Sequence, residues 1–464
     1  MPRFLLSFVL LLIAMVASAQ QSLPTVRLTG TFGSDYQPGT IEIEGESYPV
    51  SVKWRGATTG GDQKHKHHFK IKFPSNQSFF GMRSDNNWLL DAGQADPFRL
   101  RNRIATDLWL DMARKPYYAD QEPQALSGVR GRVVELYLNG QYEGIYCFTE
   151  NIDRKQMQLT KQTKTNIRGV LWKAEGYRYA NMWDVENDYD NTKPTWGSFE
   201  AKYPDLEDRD TTDYSTLYRA IDFVVNSSND EFSAHVADYF DLPAVMDYYL
   251  FINALGAVDN VGKNTFWAVY DQLSSDRRLT PAVWDLDLTV GAPLLAKFNP
   301  VFDDPDLVLF GGINLVHRLI TLNVDNWNSL AYERWQELRQ SWLATDALIQ
   351  RYRDAVELLE ESGAARRETD RWSGDSDILG ATIDFRRDAD SIAWWLNIHL
   401  PLLDTVLCDT TIIRILGINT ALAQQPWRPN QPVYNLQGQR QRTDLPLRPG
   451  LYIRSGRKFV VKRR

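Results

Sequence analysis

Asp259, Asn264, Asp285 and Asp287 are the residues of this 464-residue chain whose types and order could carry chemistry. Asp259 opens the run Asp259-Asn260-Val261-Gly262-Lys263-Asn264. Further on, an apolar stretch ends in Trp284-Asp285-Leu286-Asp287. That order suits phosphoryl transfer from a nucleotide. An Asp takes or orients the proton of the acceptor hydroxyl, an Asn binds one metal ion, and a later Asp at a strand end binds the metal that bridges the phosphates. On an extended backbone Asp285 and Asp287 share a side, so both could face one cation. A carboxylate pair repels unless a cation or hydrogen-bond donors offset its charge, which favours a metal. Asp and Asn are also common loop residues, so spacing alone leaves a plain loop open.

The elements around these residues set the frame. Thr25–Thr29, Thr40–Glu44 and Val50–Trp54 alternate and carry β-branched residues, which predicts strands. In His68–Phe73, Phe69, Ile71 and Phe73 share one strand face and Lys70 and Lys72 the other. Leu100, Ile104, Leu108 and Met112 recur at helical spacing. Val133–Leu138, Asn139-Gly140 and Tyr142–Phe148 read as a hairpin with an Asn-Gly turn. Residues 176–215 are polar and rich in Asp, Asn and Tyr, and are expected to form a long insertion or substrate loop. An apolar helix over 243–256 leads into the Asp259 loop, with strands at 264–270 and up to Trp284. Helices follow, with Trp335, Leu338, Trp342 and Leu343 expected in the core, as are Leu348, Tyr352, Val356 and Leu359.

The ends differ from the middle. Arg3 followed by the apolar run Phe4–Val16 and Ala17-Ser18-Ala19 has the form of a secretory signal over 1–19. The run is short for a bilayer span, which needs about 20 apolar residues. No transmembrane anchor is expected. Residues 411–432 have linker composition, and 433–464 read as a small basic β-rich module. The net charge of −7 argues against broad nucleic-acid binding. Two cysteines, Cys147 and Cys408, do not make a disulfide framework, and Cys147 reads as a buried free thiol. The six histidines show no zinc spacing.

Several segments resemble the CotH kinase family, in that family's order. They are Arg55-Gly56-Ala57-Thr58-Thr59, Phe69–Phe73 with Phe80-Gly81-Met82, and Trp88-Leu89-Leu90 with Asp96 and Leu100-Arg101-Asn102. Leu138–Tyr146 ending at Glu150, Asp259 with Asn264, and Trp284–Asp287 with Gly291 complete the set. The resemblance spans about residues 23–405. Ala57 stands where the family has Asn, and Lys64-His65-Lys66-His67-His68 replaces a Lys-Lys-x pattern. Val433–Gln439, Gly450–Ile453 and Lys458–Lys462 resemble C-terminal sorting modules of secreted Bacteroidetes proteins, which pass through a type IX secretion system.

The resemblance implies an α+β, atypical two-lobed protein-kinase-like fold over 23–410, with the β-rich module after it. It implies ATP with Mg or Mn as cofactors. Asp259 would be the base, and Asn264, Asp285 and Asp287 the metal ligands. Lys72, or else Lys70, would meet the nucleotide phosphates. Glu150 would pair that lysine or contact the nucleotide, and Arg55 could bind phosphate through its guanidinium or simply close a turn. The expected activity is transfer of the γ-phosphate to hydroxyl side chains of exported or surface proteins. The expected location is secreted, periplasmic or cell-surface. Two other readings stay open. One is a surface binding or scaffold protein that kept the fold without catalysis. The other is a metal-dependent glycosyltransferase, because Asp-x-Asp also binds nucleotide-sugars through a metal.

Overall fold

The computed structural model describes residues 22–408, except 57–60, 62, 178–182, 185–187, 207–208, 299–303 and 310–312, together with four short strands after residue 432. The expected signal at 1–19, the linker and most of the Arg55–Gly61 loop lie outside the described residues. The chain forms two compact units. One holds residues up to 104, 129–151 and 346–394, and the other holds 105–128, 152–345 and 395 onward.

In the first unit, period-2 alternation closes a seven-stranded barrel. Its strands are β1 (Thr25–Thr29), β2 (Gln37–Ile43), β3 (Glu46–Arg55), β4 (His68–Gln77), β5 (Asp85–Asp91), β6 (Gly131–Leu138) and β7 (Gln141–Thr149), in the order β1-β2-β3-β4-β5-β7-β6. Neighbours are antiparallel except β1 and β6, which close the barrel in parallel. The inward residues, among them Val26, Ile41, Val52, Ile71, Trp88 and Phe148, are buried. Each such side chain contributes about 1.5–3 kcal/mol by leaving water. The β6–β7 turn is Asn139-Gly140, with φ of 51° and 81°, the left-handed pair that a two-residue hairpin requires. Asn139 also exchanges two hydrogen bonds of 2.9 Å with the backbone of Gly30. The helix Ala364–Trp372 packs on β7, where Trp372 Nε1 donates to Glu143 O at 2.7 Å.

In the second unit a five-stranded sheet runs β12-β11-β8-β10-β9, with β8 at Val170–Glu175, β9 at Thr195–Trp196, β10 at Phe199–Tyr203, β11 at Lys263–Val269 and β12 at Thr280–Val283. The helix Leu242–Ala254 is buried from Ala244 to Ala254, as its all-round apolar sequence requires. Its Asp247 is held by Arg334 at 2.9 and 3.1 Å and by the Arg114 amide at 2.7 Å.

Three expectations are corrected. Residues 176–215 are not one loop, because Phe199–Tyr203 adds to the sheet beside β8, with Phe199 and Ala201 buried. Short strands with a single buried pair give little alternation to read. Trp342 is 42% exposed because its helix ends at Arg339 and the helical face it was assigned to stops there. The strand expected to reach Trp284 ends at Val283. Cys147, buried, and Cys408, exposed, form no disulfide. After residue 432, strands at Val433–Asn435, Arg440–Gln441, Gly450–Arg454 and Arg457–Val461 pair antiparallel. Among the described residues no helix is long and apolar enough to cross a membrane.

Candidate functional site

Asp259 sits in a tight turn, Val258–Asn260, between the buried helix ending at Ala254 and β11. Its Oδ2 accepts from Asn264 Nδ2 at 2.8 Å and from Lys263 Nζ at 3.1 Å. Its Oδ1 accepts from the hydroxyl of Tyr177. Asn264 is buried and has φ of +55°, a conformation that Asn tolerates better than other non-glycine residues. That left-handed residue turns its amide back onto Asp259 at the start of the strand. Its Nδ2 is spent on Asp259, and its Oδ1 receives no hydrogen bond among the described residues.

Asn260 ties this turn to the second carboxylate segment. It is fully buried, and its Nδ2 donates to Trp284 O at 2.8 Å, directly before Asp285. Tyr248 fixes Asn260 in turn by donating to its carbonyl at 2.6 Å. Asp285 is exposed and Asp287 half-buried, with Leu286 fully buried between them. Asp285 has φ of +57°, so the extended backbone assumed for this pair does not hold. The out-in-out exposure holds all the same, because buried Leu286 anchors the segment. The three candidate donors, Asn264 Oδ1 and the two carboxylates, are all oxygens, the donor type that a hard divalent cation such as Mg or Mn takes.

Four candidates lie in the first unit: Arg55, Lys70, Lys72 and Glu150. Lys70 and Lys72 stand on the outer face of the barrel, Lys70 half-buried and Lys72 exposed. Lys72 makes no hydrogen bond or ion pair among the described residues. The register sets Lys70 directly opposite Lys53, and Arg55 opposite His68. Glu150 does not pair with Lys72. Its carboxylate accepts from Arg130 Nη2 at 2.6 Å and Nε at 3.1 Å, and from the amides of Arg83 and Arg130 at 3.0 Å each. Burial opposes its charge, but the Arg130 guanidinium and the two amides outweigh burial and hold the carboxyl below its usual range.

The lysine that does find a glutamate is Lys66, within the run Lys64–His68. Its Nζ donates to Glu368 Oε1 at 2.9 Å, Ala92 O at 3.0 Å and Ile145 O at 2.7 Å. Glu368 also accepts from Arg99 Nε and the Ile145 amide, both at 2.6 Å. Burial lowers the Lys66 pKa to about 8, against the pull of Glu368. All three ammonium donors are used, so Lys66 is a structural clamp between the barrel and Ala364–Trp372. Nearby, Asp91 accepts from Asn102 Nδ2 at 2.6 Å and from the Gly93 amide at 3.0 Å, and lies 3.0 Å from His68 Nδ1.

His65, Asp375 and Asp377 also converge, with ligand atoms within 4.8 Å of one another. Their oxygens are already engaged. Asp377 accepts from Lys64 Nζ and the amides of His65 and Lys66, and Asp375 Oδ2 lies 2.7 Å from His65 Nδ1. A lysine ammonium on the same carboxylate competes with any cation, so this cluster reads as a clasp.

No curated protein matches the chain. The profile of a family described as CotH kinase protein matches residues 52–395, which include every candidate residue from Arg55 to Asp287. The match spans 344 of 464 residues (395 − 52 + 1). The chain therefore belongs to the CotH kinase protein family, a family of kinase-like function with a general use of ATP and a divalent metal.

Proposed function

We propose that this protein is a metal-dependent protein kinase that acts outside the cytoplasm, on hydroxyl side chains of exported or surface proteins. The observation that carries the reading is the hydrogen bond from Asn264 to Asp259, with Asn260 tying the same turn to the backbone before Asp285. Asp259 accepts the proton of the acceptor hydroxyl. Asn264, Asp285 and Asp287 would hold the divalent metal, which would neutralise the charge that develops in transfer. Lys72 or Lys70 meets the phosphates, with Arg55 as a further cation. Glu150, held by Arg130, orders the end of β7. The leader-like residues 1–19 and the basic strands after residue 432 support export and sorting, the latter through a type IX route.

A binding protein without catalysis is the second reading, favoured by the cover that Tyr177 and Lys263 give Asp259. Thermal shift separates the readings. ATP with Mg or Mn should raise the melting temperature, and EDTA should remove the effect. No shift with any nucleotide supports the binding protein, and a shift with nucleotide-sugars alone supports a glycosyltransferase.

A further inference from the structure

The hydroxyl of Tyr177 stands against Asp259, the carboxylate proposed above as the base. It donates to Asp259 Oδ1, while Asn264 and Lys263 hold the other carboxylate oxygen. The sheet register accounts for this placement. β8 pairs with β11, setting Glu175 opposite Lys263, four residues past Asp259. Tyr177 follows Glu175 by two residues and so emerges beside the Asp259 turn. Tyr177 is 45% exposed, so its ring is not a core residue that happens to touch a carboxylate. Partial burial and the neighbouring Asp259 charge raise its pKa.

We infer that Tyr177 is an intramolecular phosphoryl acceptor, a self-modification site that covers Asp259 until it is phosphorylated. This rests on the reading of Asp259 as the base. In the transfer, the bond between the ATP γ-phosphorus and its β,γ-bridging oxygen breaks. The Tyr177 Oη–phosphorus bond forms, the phenolic proton passes to the Asp259 carboxylate, and ADP leaves. The product carries about −1.5 to −2 charge at neutral pH. Beside Asp259 that charge is repelled, so the modified side chain swings out and frees the base for an external hydroxyl.

The test incubates the full chain with ATP and Mn or Mg, maps phosphosites by mass spectrometry, and follows transfer to casein in the same tube. Phosphate should appear on Tyr177 at a rate independent of enzyme concentration, and casein labelling should show a lag that ends as Tyr177 fills. Asp259→Asn should slow Tyr177 labelling by about a hundredfold or more, the usual worth of a general base. Tyr177→Phe should lose that label. Casein labelling with Tyr177 unmodified overturns the inference and leaves the kinase reading standing. Labelling of neither Tyr177 nor casein overturns both. Labelling of Tyr177 that rises in proportion to enzyme concentration overturns the intramolecular step.

Discussion

Asn264 donates its side-chain amide to Asp259 Oδ2 at 2.8 Å from a backbone held at φ of +55°. Both features depend on asparagine. Other L-residues with a Cβ pay about 1–2 kcal/mol in that conformation, whereas glycine does not. Asn264→Ala should therefore lower both stability and transfer. Asn264→Gly should recover about 1 kcal/mol of the stability while transfer stays low, because the amide and its oxygen are still missing. Urea denaturation beside a kinase assay separates the two effects. Equal stability of the alanine and glycine variants would contradict the backbone argument.

Glu368 is fully buried and bonded by Lys66, Arg99 and the Ile145 amide. Glu368→Ala leaves two buried cations without their carboxylate and should cost about 3–5 kcal/mol. Gly144 lies beside the same group. Its φ is +134°, and a Cβ there would come within 2.6 Å of Glu368 Oε2. Gly144→Ala should cost about 1–3 kcal/mol through strain and overpacking. Urea midpoints of the two variants and the wild type measure both costs, and a Glu368→Ala loss under 1 kcal/mol would show that the clamp does not hold the barrel.

Asp91 gives the first unit an acid-sensitive contact. Burial opposes its charge, yet His68, the Gly93 amide and the charge of Arg55 hold its pKa well below the ordinary 3.8. The folded value is depressed, so its stabilisation is present above pH 3.8 and is lost as pH falls below it. Comparing denaturation at pH 7 and at pH 3, Asp91→Asn should lose less stability on acidification than the wild type. At His65, the hydrogen bond and charge of Asp375 raise the pKa. That contact is present below the ordinary 6.5 and is lost as pH rises through the raised value. The His65 ring should titrate above the ordinary value by NMR, and Asp375→Asn should return it.

Asp285 is exposed and Asp287 half-buried, and both are proposed to hold the metal. Each of Asp285→Asn and Asp287→Asn removes one charge from the donor set and should raise the Mn concentration needed for half-maximal transfer. The fold should be unaffected at the exposed Asp285. Titration of Mn against ATP-dependent thermal shift checks this, and unchanged half-saturation in both variants would remove them from the metal site.

Single strands of the barrel are legible in the sequence wherever one face is wet and the other dry, as in Phe69–Phe73 with Lys70 and Lys72 opposite, but their closure into a barrel is not. The Asn139-Gly140 turn is legible because few other pairs accept two left-handed residues. The Lys66–Glu368 clamp is not legible. The partners are 302 positions apart, and a lysine in a stretch of lysines and histidines reads as solvated. Glu150 misleads for a related reason, since a carboxylate at a strand end does not reveal that Arg130 will hold it. The order Asp259, Asn264, Asp285 is visible in the chain, but the left-handed backbone at Asn264 and Asp285, the Asn260 bridge and the Tyr177 hydroxyl all follow from tertiary packing.

The most direct test of the account is phosphoryl transfer from labelled ATP to casein, with Mg or Mn, by the wild-type chain, Asp259→Asn and Asp285→Ala. The account predicts metal-dependent transfer by the wild type. It predicts a loss of about a hundredfold or more in each variant, from removal of a general base in one and of metal-held charge stabilisation in the other. Folded variants that transfer phosphate at the wild-type rate would contradict it.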